Sequence, residues 1–428
     1  MADETLKSRL DLKRCLRDTL LAGLCALIVF GPIVGVVLKG YSFNLAPGRV
    51  ALLVAIVMAG RFLLSLALQT ARGRNFTRRF ESANDGVFVR PVDHISPLRW
   101  VVPLLLVLAM LFPFVASKYL LTVAILGLIY VLLGLGLNIV VGLAGLLDLG
   151  YVAFYAIGAY GLALGYQYLG LGFWVMLPLG AVIAALAGAL LGFPVLRMHG
   201  DYLAIVTLGF GEIIRLVLNN WVSFTGGPNG ISVPAPTFLG LEFGRRARDG
   251  GVPFHEFFGI IYNPNLKFIF IYSVLVLVVV LVLFIKHRLT TMPIGRAWEA
   301  LREDEVACRS LGLNHVLVKL SAFMLGASTA GIAGVFFATY QGFVNPTSFT
   351  FFESALILAI VVLGGMGSTL GVVLAAFILT VAPELLRDFA EYRVLLFGVL
   401  MVLMMIWRPR GMVRTSRTGF AVRKGVAP

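Results

Sequence analysis

Long apolar runs, separated by short segments rich in basic residues, account for most of the chain. Most runs have close to the roughly 20 residues that a helix needs to cross a ~30 Å hydrocarbon core. Apolar residues are continuous within the runs, whereas the strands of a membrane β-barrel alternate. The pattern therefore predicts an all-α polytopic membrane protein with about ten transmembrane helices, at 19–38, 50–68, 101–116, 120–143, 148–168, 174–195, 202–221, 268–285, 320–340 and 390–407.

The apolar run 352–382 differs from the others because the sequence GGMGS interrupts it at 364–368. Its flanks require an even number of crossings, so we predict a broken, re-entrant helical hairpin, with one long tilted span as the alternative. Residues 137–156 and 358–377 are identical at seven of twenty aligned positions. This match fits a transporter built from repeats with broken helices, although apolar segments also match by chance.

The charged residues exclude a soluble fold and predict the orientation of the chain. Only 13% of the residues are charged, against about 25% in soluble domains. The net charge is +14, and 22 of the 35 lysines and arginines lie in the segments 1–18, 69–100, 286–317 and 407–428. Because basic loops stay in the cytoplasm, we predict that both termini and these loops are cytoplasmic and that Val222–Lys267 is external.

No catalytic or metal-binding pattern can be recognised in the sequence. The five histidines are scattered, the three cysteines have no paired spacing, and there is no Walker A, HExxH, Gly-x-Ser-x-Gly or CxxC motif. An integral membrane enzyme would need a cluster of polar or metal-binding residues at one membrane surface. We therefore expect no enzyme activity and no metal.

The cytoplasmic segment Gly295–Asn314 is predicted to form one amphipathic helix that ends at Gly312. Its apolar stripe consists of Ala297, Ala300, Leu301, Ala307, Cys308 and Leu311. Its charged surface carries Glu299, Arg302, Glu303 and Arg309. Such a helix either inserts into a groove on a partner protein or lies on the membrane or on its own bundle.

Four polar residues lie in or beside the predicted spans, where they normally face a partner or an aqueous cavity. Asp148 is at the break between two apolar runs, and Glu212, Arg215 and Asn219 share one helix face. All four are candidates for lining a translocation pathway. A purely structural ion pair between Glu212 and Arg215 is the alternative.

Two glycine-rich stretches complete the set of candidates. Gly158, Gly161 and Gly165 have the spacing that lets helix backbones approach closely. Thr225–Ile231 forms a turn-rich external corner, which turn chemistry alone explains. Docking of an external partner is the alternative for its residues Gly226, Gly227, Pro228 and Asn229.

Three blocks of sequence closely resemble one known family. They are GDYLAIVTLGFGEIIRLVLNNW…TGGPNGIS, GRAWEALREDEVACRSLGLN and ESALILAIVVLGGMGS. Together they resemble the M-type permease of bacterial high-affinity branched-chain amino acid ABC importers, from about residue 100 to Gly411. The resemblance implies a permease core at 101–411 with a periplasmic loop at 222–267 and a cytoplasmic coupling loop at 286–317. A two-span extension with a basic loop (1–100) precedes the core, and a basic tail (412–428) follows it.

The resemblance also implies a function and a set of partners. The chain would translocate leucine, isoleucine or valine across the inner membrane by alternating access. Its partners would be a related second permease, two cytoplasmic ATP-binding subunits that hold ATP and Mg²⁺, a periplasmic branched-chain amino acid-binding protein and the lipid bilayer, with no nucleic acid. This chain would bind no cofactor. An ion-coupled secondary amino-acid transporter that acts alone, with Asp148 and Glu212 as coupling sites, is the alternative.

A coupling motif follows from the same resemblance. Glu299, Ala300 and Gly312 fall on the family's cytoplasmic coupling motif, and Leu301 departs from the strict EAA pattern of other importers. The expected ATPase-coupling residues are Glu299, Ala300, Leu301, Arg302, Glu303 and Gly312.

Overall fold

The computed structural model divides into two units, Met1–Ser96 with Arg417–Pro428, and Pro97–Ser416. The predicted spans 19–38, 50–68, 101–116 and 390–407 lie wholly or partly outside the described residues. The same is true of the basic segments 1–18 and 69–100, the external loop 222–267 and the tail 412–428. The structure describes residues 19, 36–39, 42–45, 51, 54, 55, 58, 59, 109–114, 116–195, 198, 201–238, 241–243, 252–257, 259, 263–385, 398, 402 and 411–413.

Two short strands are described in the first unit. β1 (Val36–Lys39) pairs antiparallel with β2 (Ser42–Leu45), with Val36 opposite Leu45. The predicted helical span 19–38 is therefore wrong at its C-terminal end. Residues 36–38 are Val-Val-Leu, and β-branched residues favour this extended conformation.

The second unit is built from helices that follow the predicted spans closely. Among the described residues, six helical segments are long and apolar enough to cross a membrane. The all-α polytopic membrane fold is confirmed, and the number of spans in the whole chain stays a prediction. The helices are α1 (Lys118–Leu137), α2 (Val152–Leu169), α3 (Phe173–Val195), α4 (Asp201–Asn220), α5 (Val222–Thr225), α6 (Phe254–Phe257), α7 (Leu266–Thr291), α8 (Pro293–Glu303), α9 (Glu305–Ser310), α10 (His315–Gln341), α11 (Phe351–Gly364) and α12 (Thr369–Leu385).

The first of these crossings ends in a distorted helix. α1 continues directly into a π-helical segment, Asn138–Leu143, and the backbone N–H of Ala144 donates to Ile139 O at 3.1 Å. Gly145 then takes a positive φ of 72°, which glycine adopts without steric cost. An irregular connection, 144–151, leads to α2, so the predicted break between these two spans is present.

α10 lies at the centre of the unit, and small residues let α2 and α3 pack directly against it. Gly158 of α2 lies against the backbone of Gly331 in α10, and Gly334 lies against the backbone of Tyr155. On another side, Gly331 faces Gly180 of α3. Van der Waals packing of this kind stabilises helices in lipid, where the hydrophobic effect between helices is lost.

α11 and α12 form a hairpin that packs on α1. The turn 365–368 contains two glycines with positive φ, 103° and 88°. Gly134 of α1 packs against both Ile360, before the turn, and Val372, after it. The chain therefore reverses direction at the glycine-rich interruption, and the alternative of one long tilted span is wrong.

Short strands and aromatic rings build the segment between α4 and α7. Phe243 stacks on Phe270 of α7 with 4.8 Å between ring centroids, and Trp174 Nε1 donates to Thr237 O at 2.8 Å. The segment is thus attached to the end of α7 that lies away from α8. Its strands are β3 (Ile231–Ser232), which pairs with β7 (Phe343–Val344), and a three-stranded sheet of β4 (Thr237–Phe238), β5 (Leu241–Glu242) and β6 (Val252–Pro253).

Candidate functional site

The predicted coupling helix is two helices, α8 and α9. Asp304 leaves the helical conformation with φ −155° and caps the N-terminus of α9. Its Oδ1 accepts from Val306 N at 2.8 Å and from Ala307 N at 3.0 Å, which satisfies two amides that a helix start leaves free. The prediction of one continuous helix is therefore wrong. Gly312, with φ 80°, follows α9, close to the predicted end.

One face of α8 and α9 packs on the chain's own bundle. Trp298 is completely buried, and its Nε1 donates to Val318 O at 3.1 Å and to Ser321 Oγ at 3.0 Å in α10. Leu301 is only 5% exposed, and Cys308 is also buried. These residues therefore stabilise the chain's own helix bundle.

The opposite face of α8 and α9 is exposed and mixes aliphatic with charged side chains. Leu311 is 81% exposed and Val306 is 73% exposed. The predicted single apolar stripe is wrong, because Leu301 and Cys308 face the bundle while Ala300, Ala307 and Leu311 are exposed. We call this exposed face the docking surface; its residues are Glu299, Ala300, Glu303, Val306, Ala307 and Leu311.

An ion cluster fixes α9 to the start of α10. Glu305 accepts from Arg309 at 2.6 Å and from the buried Lys319 at 2.7 Å. Because Lys319 is almost fully buried, its ammonium needs this carboxylate as a partner. The cluster holds α9 in a fixed position relative to the bundle.

Arg302 connects α8 to the distorted end of α1. Its guanidinium donates to the backbone oxygen of Gly142 in the π-helical segment. Arg302 is exposed as a whole, but its guanidinium reaches back to the bundle. A cleft of about 310 Å³ lies beside it and is lined by Ala144, Gly145, Leu146, Leu147, Met198, Leu203, Leu301, Arg302, Glu305 and Lys319.

The predicted polar face of α4 is present. Arg215 donates to both carboxylate oxygens of Glu212, which confirms the ion pair, and Asn219 follows one turn later. The side chain of Arg215 is 27% exposed and that of Glu212 is 41% exposed. Charged side chains in a membrane helix normally face a protein partner or an aqueous cavity. We therefore do not expect this side of α4 to face lipid alone.

Asp148 is buried, and its position is separate from that of the Glu212–Arg215 ion pair. Its Oδ1 accepts from Gly150 N at 2.9 Å, and its Oδ2 has no hydrogen-bond partner in the described part of the chain. It lines a cavity of about 10 Å³ together with Thr207 and Phe210, which is room for about one water molecule. Glu212 and Arg215 do not line this cavity, and an amino acid does not fit in it.

The glycine-rich corner is a fixed turn that exposes its tip. Gly226 and Gly227 take positive φ values of 69° and 54°, and Thr225 Oγ1 donates to Leu218 O at 2.6 Å. Pro228 and Asn229 are exposed. Turn chemistry explains the glycines, and the exposed tip is free for contact with another molecule.

Two polar contacts between distant parts of the chain involve residues that were not among the predicted site residues. Asn138, inside the apolar run of α1, hydrogen-bonds to the hairpin turn at Gly367 and Ser368. Tyr130 donates to Glu353 Oε2 at 2.8 Å. A lone polar residue in an apolar run was the available signal in each case, but the partner of each lies more than 200 residues away in the chain.

Comparison with known proteins gives two family matches. The family model described as the permease component of branched-chain amino acid transport systems matches residues 119–406. A second model, described as a domain of unknown function, matches residues 14–112. No solved structure gives a significant match.

Curated relatives from bacteria and archaea are similar to the chain. The high-affinity branched-chain amino acid transport system permease protein LivM of Escherichia coli is 56% identical over 356 residues, which cover 82% of this chain and 84% of the relative. A probable LivM permease of Methanocaldococcus jannaschii is 25% identical over 55% of this chain and 66% of the relative. The E. coli permease protein LivH is 26% identical over 67% of this chain and 92% of the relative.

Proposed function

Because the chain belongs to the family of permease components of branched-chain amino acid transport systems, we propose that it forms one half of a membrane pathway driven by cytoplasmic ATP-binding subunits. It is a permease subunit of an ATP-binding-cassette importer for branched-chain amino acids. Its proposed partners are a second, related permease, two ATP-binding subunits that hold ATP and Mg²⁺, and a periplasmic protein that delivers leucine, isoleucine or valine. This chain itself binds no cofactor and hydrolyses no ATP.

The docking surface on α8 and α9 is the observation that carries this proposal. Its residues lie outside the membrane spans, and aliphatic side chains such as Leu311 and Val306 are left exposed. An amphipathic helix whose inner face is already packed can still insert its outer face into a groove on a partner. We assign this role to Glu299, Ala300, Glu303 and the neighbouring exposed residues, whereas Leu301 and Arg302 act within the permease.

The other two surfaces are assigned to the remaining partners. The half-exposed Glu212–Arg215 flank of α4, with Asn219, faces the second permease or the pathway between the two chains. The exposed tip at Pro228 and Asn229 lies at the opposite end of the bundle from α8, where it meets the binding protein. This assignment requires α8 and both termini to be in the cytoplasm of a bacterial inner-membrane protein, as the basic loops predict.

The proposal predicts that uptake depends on the complete assembly. Proteoliposomes that contain this chain, the second permease and both ATP-binding subunits should take up labelled leucine only with binding protein and ATP. The chain alone, under a proton or sodium gradient, should give no uptake above empty liposomes. Gradient-driven uptake by the isolated chain would instead support a secondary transporter.

Substrate preference is expected to follow the binding protein. One methylene in a hydrophobic pocket discriminates by only about 1–3 kcal/mol, and a tight selective site in the pathway would slow release. Glu212→Gln should therefore lower the uptake rates of leucine, isoleucine and valine by the same factor, within about twofold. Competition uptake with each labelled amino acid measures this, and a changed order of preference would place selectivity in this chain.

A further inference from the structure

The amide of Asn138 joins the π-helical segment to the turn of the hairpin. Asn138 has no exposed surface. Its Nδ2 donates to Ser368 O at 3.2 Å, and its Oδ1 accepts from Gly367 N at 2.7 Å. Because a buried amide without partners is costly, these two bonds hold the segment and the turn together.

The same π-helical segment is held from the other side by α8. Arg302 donates to the backbone oxygen of Gly142, which lies four residues after Asn138. π-Helical turns are rare, and they occur frequently at functional sites. Asn138–Leu143 is therefore a distorted segment that contacts both the helix outside the membrane spans and the hairpin.

The side chains of Arg302 and Asn138 join these three parts directly. A Cβ atom at Gly142 would overlap both Asn138 Oδ1 and Gly367 N, and one at Gly145 would lie 2.8 Å from Arg302 Cγ. The parts are thus in direct contact. Closely packed interiors transmit displacements rather than absorbing them, so a shift at one part moves the next.

A cleft beside α8 and a hydrogen bond next to the hairpin turn favour a defined movement of α8. The cleft of about 310 Å³ beside Arg302 leaves room for α8 to shift. The other side of the turn is held by the backbone N–H of Met412, which donates to Leu363 O at 2.9 Å. A pull through Asn138 therefore acts on a turn that is fixed on its far side.

We propose that Asn138 is a positioning residue that transmits the movement of α8 to the hairpin turn 365–368 in each transport cycle. The inference rests on the proposed docking of ATP-binding subunits on α8 and α9. When those subunits move α8, Arg302 pulls the carbonyl of Gly142, and the amide of Asn138 moves Gly367 and Ser368. The hairpin packs along α1, so the shift passes into the membrane.

The test compares uptake with ATP hydrolysis in the complete importer in proteoliposomes. Asn138→Leu keeps the size of the side chain and removes both hydrogen bonds. We expect it to assemble and to hydrolyse ATP in response to loaded binding protein, with at least tenfold less leucine taken up per ATP. Thr339→Val is the matched control, because Thr339 is equally buried and, within the described residues, its hydroxyl bonds only Val335 O of its own helix. Its uptake per ATP should equal that of the wild type.

Variants of Arg302 keep the proposal testable if Asn138→Leu fails to assemble. Arg302→Met should lower leucine uptake per ATP, and Arg302→Lys, which retains a donor, should restore most of it. The double variant Asn138→Leu/Arg302→Met should take up as much leucine per ATP as the more impaired of the two single variants, because both residues act in the same chain of contacts. Independent, multiplied losses would overturn the proposal, as would normal uptake per ATP in either Asn138→Leu or Arg302→Met.

Failure of docking can be recognised separately, because it is read from co-purification of the ATP-binding subunits and not from uptake per ATP. If Arg302→Met loses those subunits, Arg302 belongs to the docking surface and the proposed transmission through Asn138 is overturned. If the subunits stay bound and uptake per ATP falls, the transmission is supported.

Discussion

Replacing Leu311 by aspartate is expected to abolish leucine uptake while leaving the permease folded and inserted. Leu311 is exposed in the chain, so the new carboxylate meets water before assembly. Against a docked apolar groove it becomes an unpaired buried charge, which costs about 3–5 kcal/mol and weakens association by roughly 100-fold or more. Co-purification of the ATP-binding subunits and uptake of labelled leucine measure the two effects.

Leu301→Asp is the matched control for this experiment. It makes the same substitution in the same pair of helices, but Leu301 is buried against the bundle. We expect a lower melting temperature and a lower yield of folded permease instead of selective loss of the ATP-binding subunits. Normal uptake in both Leu311→Asp and Glu299→Lys would eliminate α8 and α9 as the docking element.

The single methyl group added by Gly158→Ala is expected to reduce the free energy of unfolding by about 3 kcal/mol, the upper part of the usual range for overpacking. The new Cβ atom would overlap the backbone of Gly331, and backbone cannot move aside as a flexible side chain can. α2 would have to move away from α10 at this contact. Thermal unfolding of the detergent-solubilised permease, followed by size-exclusion chromatography, measures the loss.

Gly161→Ala on the same helix is the control for packing. A Cβ atom at Gly161 would meet only Met176 Cε at 3.6 Å, an ordinary van der Waals contact. Its melting temperature should therefore equal that of the wild type. A Gly158→Ala permease with the same melting temperature as the wild type would contradict the close contact between α2 and α10.

The spans and the hairpin could be predicted because their cause is local. Continuous apolar runs require helices in a membrane, and the glycines at 365 and 367 supply the positive φ values that the turn needs. The spacing of Gly158, Gly161 and Gly165 predicted a close contact, but only the partner helix decides which of the three meets backbone. That information is absent from spacing alone.

The candidate site was less predictable because its geometry depends on tertiary contacts. The residues around Asp304 all tolerate a helix, and the break there accompanies the packing of Trp298 against α10. That packing also decides which aliphatic residues of the stripe turn outward. Asn138 could be identified as unusual in an apolar run, but its bonds join residues 229 and 230 positions apart. The sequence similarity between 137–156 and 358–377 covers the π-helical segment and the hairpin turn, which are the two interrupted elements that meet at Asn138.

The partly uncovered ion pair on α4 affects the chain before it finds its companion. Until the second permease covers that flank, Glu212 and Arg215 face an environment in which polar groups are poorly tolerated. A solitary copy would therefore be less stable in the bilayer than the assembled pair, because its charged flank would be left in contact with lipid.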